Sequence, residues 1–228
     1  QQETYTFQGT NIVVAESTRD LGVEVDLNLT FDQHINNIVS KATSRIGTLF
    51  RGFCTRNPIL LRRAYVSYIR PILEYASKVW SPHLVKHINL IESVQRRFTK
   101  RIPELSNLPY AERLAFLDIE TLEYRRLKSD LVFYYKILNG VTLWPSDLYF
   151  TIKSHQRETR HTINRSTLHL EQPLCRTALF ENDFFPTLYF YFLFWNDLPN
   201  NVVEATSVKC FNDMLNKVDL SKYLKFNF

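Results

Sequence analysis

The sequence predicts a mainly α protein, a helical bundle preceded by a short β-hairpin region and followed by a smaller part of mixed structure. Three observations carry that expectation. Apolar residues recur at three- and four-residue steps through most of residues 31 to 140, the period of a helix with one buried face. Alternating and β-branched residues gather before residue 30, where a pleated strand would use them. After Pro145 the helical period weakens and aromatic clusters replace it. The chain therefore divides into a β-hairpin region at 1–30, a helical domain at 31–103, a helical extension at 104–140 and a mixed C-terminal subdomain at 141–228.

In the first region, residues 4 to 7 alternate around Tyr5 and Phe7, Gly9 with Thr10 and Asn11 marks a turn, and residues 12 to 14 are β-branched. Residues 21 to 26 alternate again, with Gly22 placed where the backbone needs room for close approach. Two or three short strands are expected, too few to be stable unless they pack on something else.

The first helix is expected from Phe31 to Arg51, capped by Thr30 with Gln33 as its reciprocal partner and stopped near Gly52. Its apolar stripe uses Phe31, Ile35, Ile38, Val39, Ala42, Ile46, Leu49, Phe50 and Phe53. Asn57-Pro58 opens the second, Asn as cap and Pro at the first helical position. Its stripe, through Leu61, Ala64 or Tyr65, Tyr68, Ile72, Tyr75 or Ala76, and Val79, crosses Pro71 without losing its period. A bend near Arg70 is thus expected rather than a break. Ser81-Pro82 ends it, and a third helix runs from 84 to about 102 with Leu84, Ile88, Ile91, Val94 or Gln95, Phe98 and Ile102 inward. A short helix at 110–116 and a longer one at 119–138 follow, the latter ended by Asn139-Gly140. Residues 151 to 170 read as irregular or extended, 184 to 194 as strongly apolar, and 195 to 199 as a turn. Val208, Phe211, Met214, Leu215 and Val218 mark a last helix after Thr206-Ser207.

Composition narrows the function classes. At 228 residues, with 45% hydrophobic and 22% charged residues, the chain is long enough to bury a real core. Seventeen Phe and twelve Tyr argue against disorder. Five glycines disfavour phosphate-cradling loops. Cys54, Cys175 and Cys210 lack paired spacing and read as reduced thiols. The apolar stretch at 184–195 is interrupted by Pro186 and too short to span a membrane. An intracellular protein is expected, with nucleus and cytoplasm equally open. The start at Gln1-Gln2 and the lone Met214 lead us to expect a fragment or processed product of a longer protein.

Charge is the informative signal. Thirteen of the Lys and Arg residues lie between Lys41 and Arg101, against only Glu74 and Glu92, a local charge of +11 in a chain whose total is +5. A segment this basic attracts a polyanion, most commonly nucleic acid. The candidate contacts are Lys41 and Arg45 on the first helix, Arg62, Arg63 and Arg70 on the second, and Arg96, Arg97, Lys100 and Arg101 near the end of the third. They would meet phosphates and set register rather than read bases. On charge alone, a solvated polar face is the competing reading. Tyr65, Tyr68 and Tyr75 read as core residues with hydroxyls at the surface, Trp80 as a plug over the bundle, and Trp195 as a cap on the C-terminal apolar cluster. No catalytic or metal-ligating set is found: adjacent aspartates, HExxH, GxGxxG, Walker and GxSxG patterns are all lacking. His83 and His87, four apart, have no third ligand nearby.

Five blocks in order carry a resemblance: DLGVEVDLNLTFDQHI at 20–35, YIRPILEYASKVWSP at 68–82, IESVQRRFTKRI at 91–102, PYAERLAFLDIETLEYRRLKSDLVFYYKILNG at 109–140 and FWNDLPNNVVEATSVKCFNDMLNK at 194–217. Together they resemble the C-terminal, thumb and post-thumb, portion of the reverse transcriptase of jockey- and CR1-like non-LTR retrotransposons. The resemblance implies that residues 7 to 25 match the hairpin ending the polymerase palm, and residues 31 to 102 the helical thumb. The nine cations would then face an RNA or RNA/DNA duplex. It also implies that the polymerising aspartates and their Mg2+ belong to a palm upstream of Gln1, so this chain alone is expected not to be an enzyme and to need no cofactor. One departure is that residues 189 to 193, Tyr-Phe-Tyr-Phe-Leu, lack the arginine the family often carries before its Trp-Asn-x-Leu-Pro turn.

Three functions remain open on these grounds. The first is a non-catalytic polymerase remnant that binds nucleic acid without sequence preference. The second is a repurposed structural or interaction subunit whose Phe192, Phe194 and Trp195 meet a protein partner through an apolar C-terminal face. An active reverse transcriptase, if the chain is one piece of a longer one, is the third.

Overall fold

A computed structural model describes residues 5–11, 15–82, 84–143, 151–152, 170–171 and 194–225. The chain is mainly α, with small antiparallel β-hairpins at its N-terminal end. Strands β1 (Thr6–Phe7) and β2 (Thr10–Asn11) form one hairpin, and β3 (Ser17–Asp20) pairs with β4 (Val23–Asp26) in another. The sequence reading missed β3, whose Ser-Thr-Arg-Asp lies exposed and shows no apolar alternation. Leu21 and Gly22 both have positive φ, the requirement of a two-residue hairpin turn, and glycine meets it without strain. The expected strand at 12–14 lies outside the described residues.

Helix α1 (Asp32–Gly52) buries Ile35, Ile38, Ala42, Ile46, Leu49 and Phe50 of the expected stripe, with Phe31 just ahead of it, whereas Val39 is half-buried and Phe53, the C-cap, is exposed. Its start differs from expectation. Thr30 is not the cap; instead Asp26, at the end of β4, accepts the N–H groups of Asn28, Thr30 and Phe31 and the Thr30 hydroxyl. One carboxylate thus gathers the donors that a capping side chain would have shared, while Phe31 takes a left-handed conformation. Burial works against that carboxylate, but the hydrogen bonds outweigh it and hold Asp26 below its ordinary range.

The second helix breaks where a bend was expected. It runs as α2 (Pro58–Tyr68), α3 (Arg70–Glu74) and α4 (Ser77–Trp80), opened by the Asn57 side chain on the N–H groups of Ile59 and Leu60. Pro71 has no N–H to continue the ladder, and the left-handed Ala76 turns the chain a second time. Ile69 and Leu73 are buried, whereas Tyr68 at the end of α2, Tyr75 and Val79 are exposed. Trp80 is buried as expected, its Nε1 donating to the Tyr75 carbonyl at 2.8 Å and its ring against His34.

Helix α5 (Val85–Lys100) returns alongside α1, and Pro103 begins a 3-10 turn after it. Leu84, expected inward, is its exposed N-cap. Helix α6 (Tyr110–Leu117) follows, and α7 (Leu122–Leu138) starts later than expected because the Thr121 hydroxyl caps it through the Tyr124 N–H. Strands β5 (Thr151–Ile152) and β6 (Leu170–Glu171) pair, and both oxygen and nitrogen of the Asn196 amide bond the backbone of Leu170 at 3.0 Å. Helices α8 (Asn200–Val203) and α9 (Val208–Leu215), the latter capped by Ser207, close the described chain. Among the described residues two large apolar cores result, with a small third cluster of Ile88, Tyr110 and Leu114. One joins Val23, α1 through α5 and Leu122; the other joins Leu127 to Ile137 of α7 with Trp195, Phe211, Leu215 and Leu220. Trp195 is thus a core residue.

A buried polar cluster links the bundle to α6 and α7. Glu92 is fully buried on α5. It accepts the Tyr110 hydroxyl from α6 and, at 2.9 Å, the N–H of Leu122 at the first turn of α7. Gln95, one turn on, accepts the Tyr65 hydroxyl at 2.7 Å and donates to Tyr110 at 3.1 Å and the Glu120 carbonyl at 3.0 Å. Tyr65 is therefore core as expected, but its hydroxyl is inside the protein. Burial holds the Glu92 carboxyl above its ordinary 4.5, against the pull of Tyr110, Arg126 and the Leu122 N–H.

Replacing Glu92 by Leu should cost about 2–4 kcal/mol, because two buried donors lose their acceptor. The measurement is a urea midpoint with unchanged slope. A raised folded pKa means that the folded state holds the proton more tightly than the unfolded chain. That stabilisation is full below 4.5 and is lost as pH rises through the higher folded value. Glu92→Gln cannot titrate, so its stability relative to wild type should improve between about pH 4 and pH 7. A difference constant over that range would rule out the shifted carboxyl.

Candidate nucleic-acid interface

The direction of the helices decides which cations meet. Asp32 at the start of α1 contacts Lys86 at 3.2 Å and His87 at 3.0 Å, both at the start of α5. Further along, Arg97 Nη1 donates to Thr43 Oγ1 at 3.4 Å, and the Arg101 guanidinium sits 4.5 Å over the Phe50 ring. Residue number rises together on both helices, so α1 and α5 are parallel, with the broken helix α2–α4 returning between them. Their C-terminal ends therefore lie at one end of the bundle. Arg51, Arg97 and Lys100 occupy the last turns there, where a cation also complements the helix dipole.

At 100° per residue, Lys41 and Arg45 lie about 160° around α1 from Thr43, on the flank opposite α5. Both are exposed. Between the two flanks runs the outer ridge of α1, made of Ser40, Ser44, Gly47, Thr48 and Arg51. No acidic residue occurs on α1 beyond Asp32. The face is thus a ridge of mostly small residues with Lys41 and Arg45 on one bank and Arg97, Lys100 and Arg101 on the other. Arg51, absent from the sequence-based candidates, is brought into it by its place on the ridge, a position legible from its seven-residue spacing with Ser44.

Other candidate cations serve the fold. Arg62 donates to the Asp118 carbonyl at 2.8 Å and carboxylate at 3.0 Å, fastening α2 to the end of α6. Arg70 lies 3.7 Å from Glu74, which also receives both arms of Arg125 from α7. The Glu74 bond raises the Arg125 pKa further, whereas burial and the Arg125 charge lower that of Arg70, which stays charged. Arg96, about 100° around α5 from Arg97, sits over the Tyr110 ring, its carbonyl accepting Arg113 at 3.0 Å. Arg63 is exposed on α2, away from the ridge. The structure therefore groups five of the nine predicted cations and ties two, Arg62 and Arg70, into internal ion pairs.

Among the described residues, no group of three or more His, Cys, Asp or Glu side chains is gathered as a metal site. His87 is engaged by Asp32, and its expected neighbour His83 lies outside the described residues. Cys54 and Cys210 are free thiols, and Cys175 lies outside the described residues. Among the described residues no helix is long and apolar enough to cross a membrane. Phe194 meets the Tyr223 ring in a tilted contact at 4.2 Å and is half-buried, so neither it nor Trp195 stands out as a free aromatic surface; Phe192 lies outside the described residues.

No protein-family model matches the chain, and no solved structure matches it. It is similar to Uncharacterized protein B0403.1 of Caenorhabditis elegans, with 29% identity over 137 residues, 59% of this chain and 69% of that one.

The division between structural and uncommitted cations is measurable. Lys41→Ala, Arg45→Ala and Lys100→Ala should each change stability by less than about 0.5 kcal/mol. Arg125→Ala, which leaves the half-buried Glu74 with only the longer contact to Arg70, should cost about 1–3 kcal/mol. Equal losses across the set, by urea denaturation, would show that the ridge cations are also structural.

Proposed function

We propose that this chain binds the template–primer of an RNA-directed DNA polymerase, an RNA or RNA/DNA duplex, without sequence preference and without catalysing synthesis. The observation that supports the reading most directly is the acid-free outer face of α1, banked by exposed cations on both sides because α1 and α5 run parallel. A duplex presents two lines of phosphates about a groove, and two rows of cations about a ridge complement them. The small ridge residues let a polyanion approach closely, and no carboxylate on the ridge opposes it. The order of the five sequence blocks supplies the polymerase context, the chain being the thumb and post-thumb portion of a non-LTR retrotransposon reverse transcriptase. Under this reading the Mg2+ chemistry belongs to palm residues of the parent polymerase, and the cations of this chain bind and orient the duplex.

The alternative, a protein-interaction subunit using its apolar C-terminal face, is less favoured at the residues first considered for it. Trp195 fills the chain's own second core against Phe211.

Binding of a labelled RNA/DNA duplex, followed by anisotropy, should weaken steeply with salt. Five phosphate contacts would give a slope of about −4.5 in log K against log salt, taking the duplex coefficient. Changing Lys41, Arg45, Arg97, Lys100 and Arg101 together to Glu should remove most of the affinity, while Arg63→Glu should leave most of it. Scrambling the duplex sequence should change little. Affinity indifferent to salt or to the five-residue reversal overturns the proposal.

A further inference from the structure

A second cationic surface lies away from the α1–α5 face. Between α4, α7 and α9 is a cleft of 320 Å³ whose lining includes Lys78, Lys128 and Lys136. Lys78 is held in place by the Ser129 hydroxyl at 2.8 Å and the Asp130 carboxylate, two bonds for an ammonium that carries three donors. Lys128 bonds Glu120 at 2.6 Å and retains further donors. Lys136 makes no ion pair among the described residues, and its charge adds to the burial that already lowers the Lys78 pKa. The floor is apolar, from Val132 and Phe133, and the α9 wall carries Asn212.

The spacing is regular. Lys128, Val132 and Lys136 follow each other at four-residue steps on one face of α7, which places the two lysines about 12 Å apart along the axis. Apolar surface between two cations, with a third fixed across the cleft, does not match a phosphodiester strand. Phosphates need no apolar floor, and base binding needs a flat exposed aromatic, whereas Phe133 is half-buried. It does match a peptide with an apolar side chain between two carboxylates. In an extended segment, residues i and i+4 lie about 13 Å apart on one face, with residue i+2 between them.

We propose that this cleft docks an acidic peptide segment of a partner protein in extended form, its two carboxylates on Lys128 and Lys136 and its central apolar side chain on Val132 and Phe133. Lys78 and Asn212 supply hydrogen bonds from the opposite wall. The complementarity is of charge and of apolar spacing, and it is independent of the duplex-binding face, since α4, α7 and α9 contribute nothing to that face.

The test uses the full chain and a labelled probe peptide, acetyl-Glu-Ala-Leu-Ala-Glu-amide, at low salt. Saturable binding is expected, weakened at least about 10-fold by Lys136→Glu and by less by Lys136→Gln, since a rim charge is reversed in one and removed in the other. Lys136 holds no ion pair among the described residues, and an unchanged urea midpoint confirms that each variant is folded. A Gln-for-Glu peptide should not bind, and a single-stranded oligonucleotide should not displace the probe. Absence of saturable binding, equal affinity of Lys136→Glu, or displacement by the oligonucleotide overturns the proposal, the last by making the cleft a phosphate site.

Discussion

Glu92 is the constraint on which the arrangement depends. Its carboxylate, placed inside the protein with no water to solvate it, is tolerable only if donors converge on it. Those donors come from α6 and from the first turn of α7, while Gln95 draws in Tyr65 from α2. Four helices are thereby registered against one another by bonds that cannot slide without stranding a buried polar group. Apolar contacts alone, which are non-directional, would fix the same helices much less closely. Burying a side chain such as Leu61 or Leu73 contributes about 1.5–3 kcal/mol, but it does so in many registers.

From that registration follows the position of the cations. With α5 anchored to α6 and α7 on one side, its other side is left for α1, and the broken α2–α4 returns the chain so that α5 starts beside the start of α1. Parallel neighbours bring like ends together, and the like ends here are the basic ones. The cost of gathering Arg51, Arg97, Lys100 and Arg101 at one end is moderated by the carbonyl ends of both helices and by the ring of Phe50 beneath Arg101. Other cations are drawn elsewhere by the same geometry: Arg62 turns to Asp118 at the end of α6, and Arg70 pairs within α3 with Glu74, which Arg125 of α7 also holds.

Helix α7 connects the two cores, contributing Leu122 to one and Leu127 through Ile137 to the other. Its outward face, carrying Lys128, Val132 and Lys136, is therefore held rigid from both sides. A binding surface on such a beam is preorganised, and less of any association energy is lost to ordering it. The α1 ridge has the same property, since the buried side of that helix is pinned by Ile35, Ala42 and Ile46.

Much of this was legible in the linear chain. The stripe from Ile35 to Phe50, the Asn57-Pro58 start, the Ser207 start and the burial of Trp80 all follow from local chemistry, because a side chain's period and a capping oxygen act within one or two turns. The sequence by itself also determined the mainly α class and the concentration of charge between Lys41 and Arg101. Tertiary structure decided the rest. It displaced Thr30 by the Asp26 carboxylate, broke the second helix about Pro71 and Ala76 with Tyr68 and Tyr75 left exposed, and made Glu92 an internal anchor. Above all it decided which cations share a face. Side-chain period is blind to helix direction and to partners fifty residues away, and only packing could separate Arg62, spent on Asp118, from Arg97 beside Thr43.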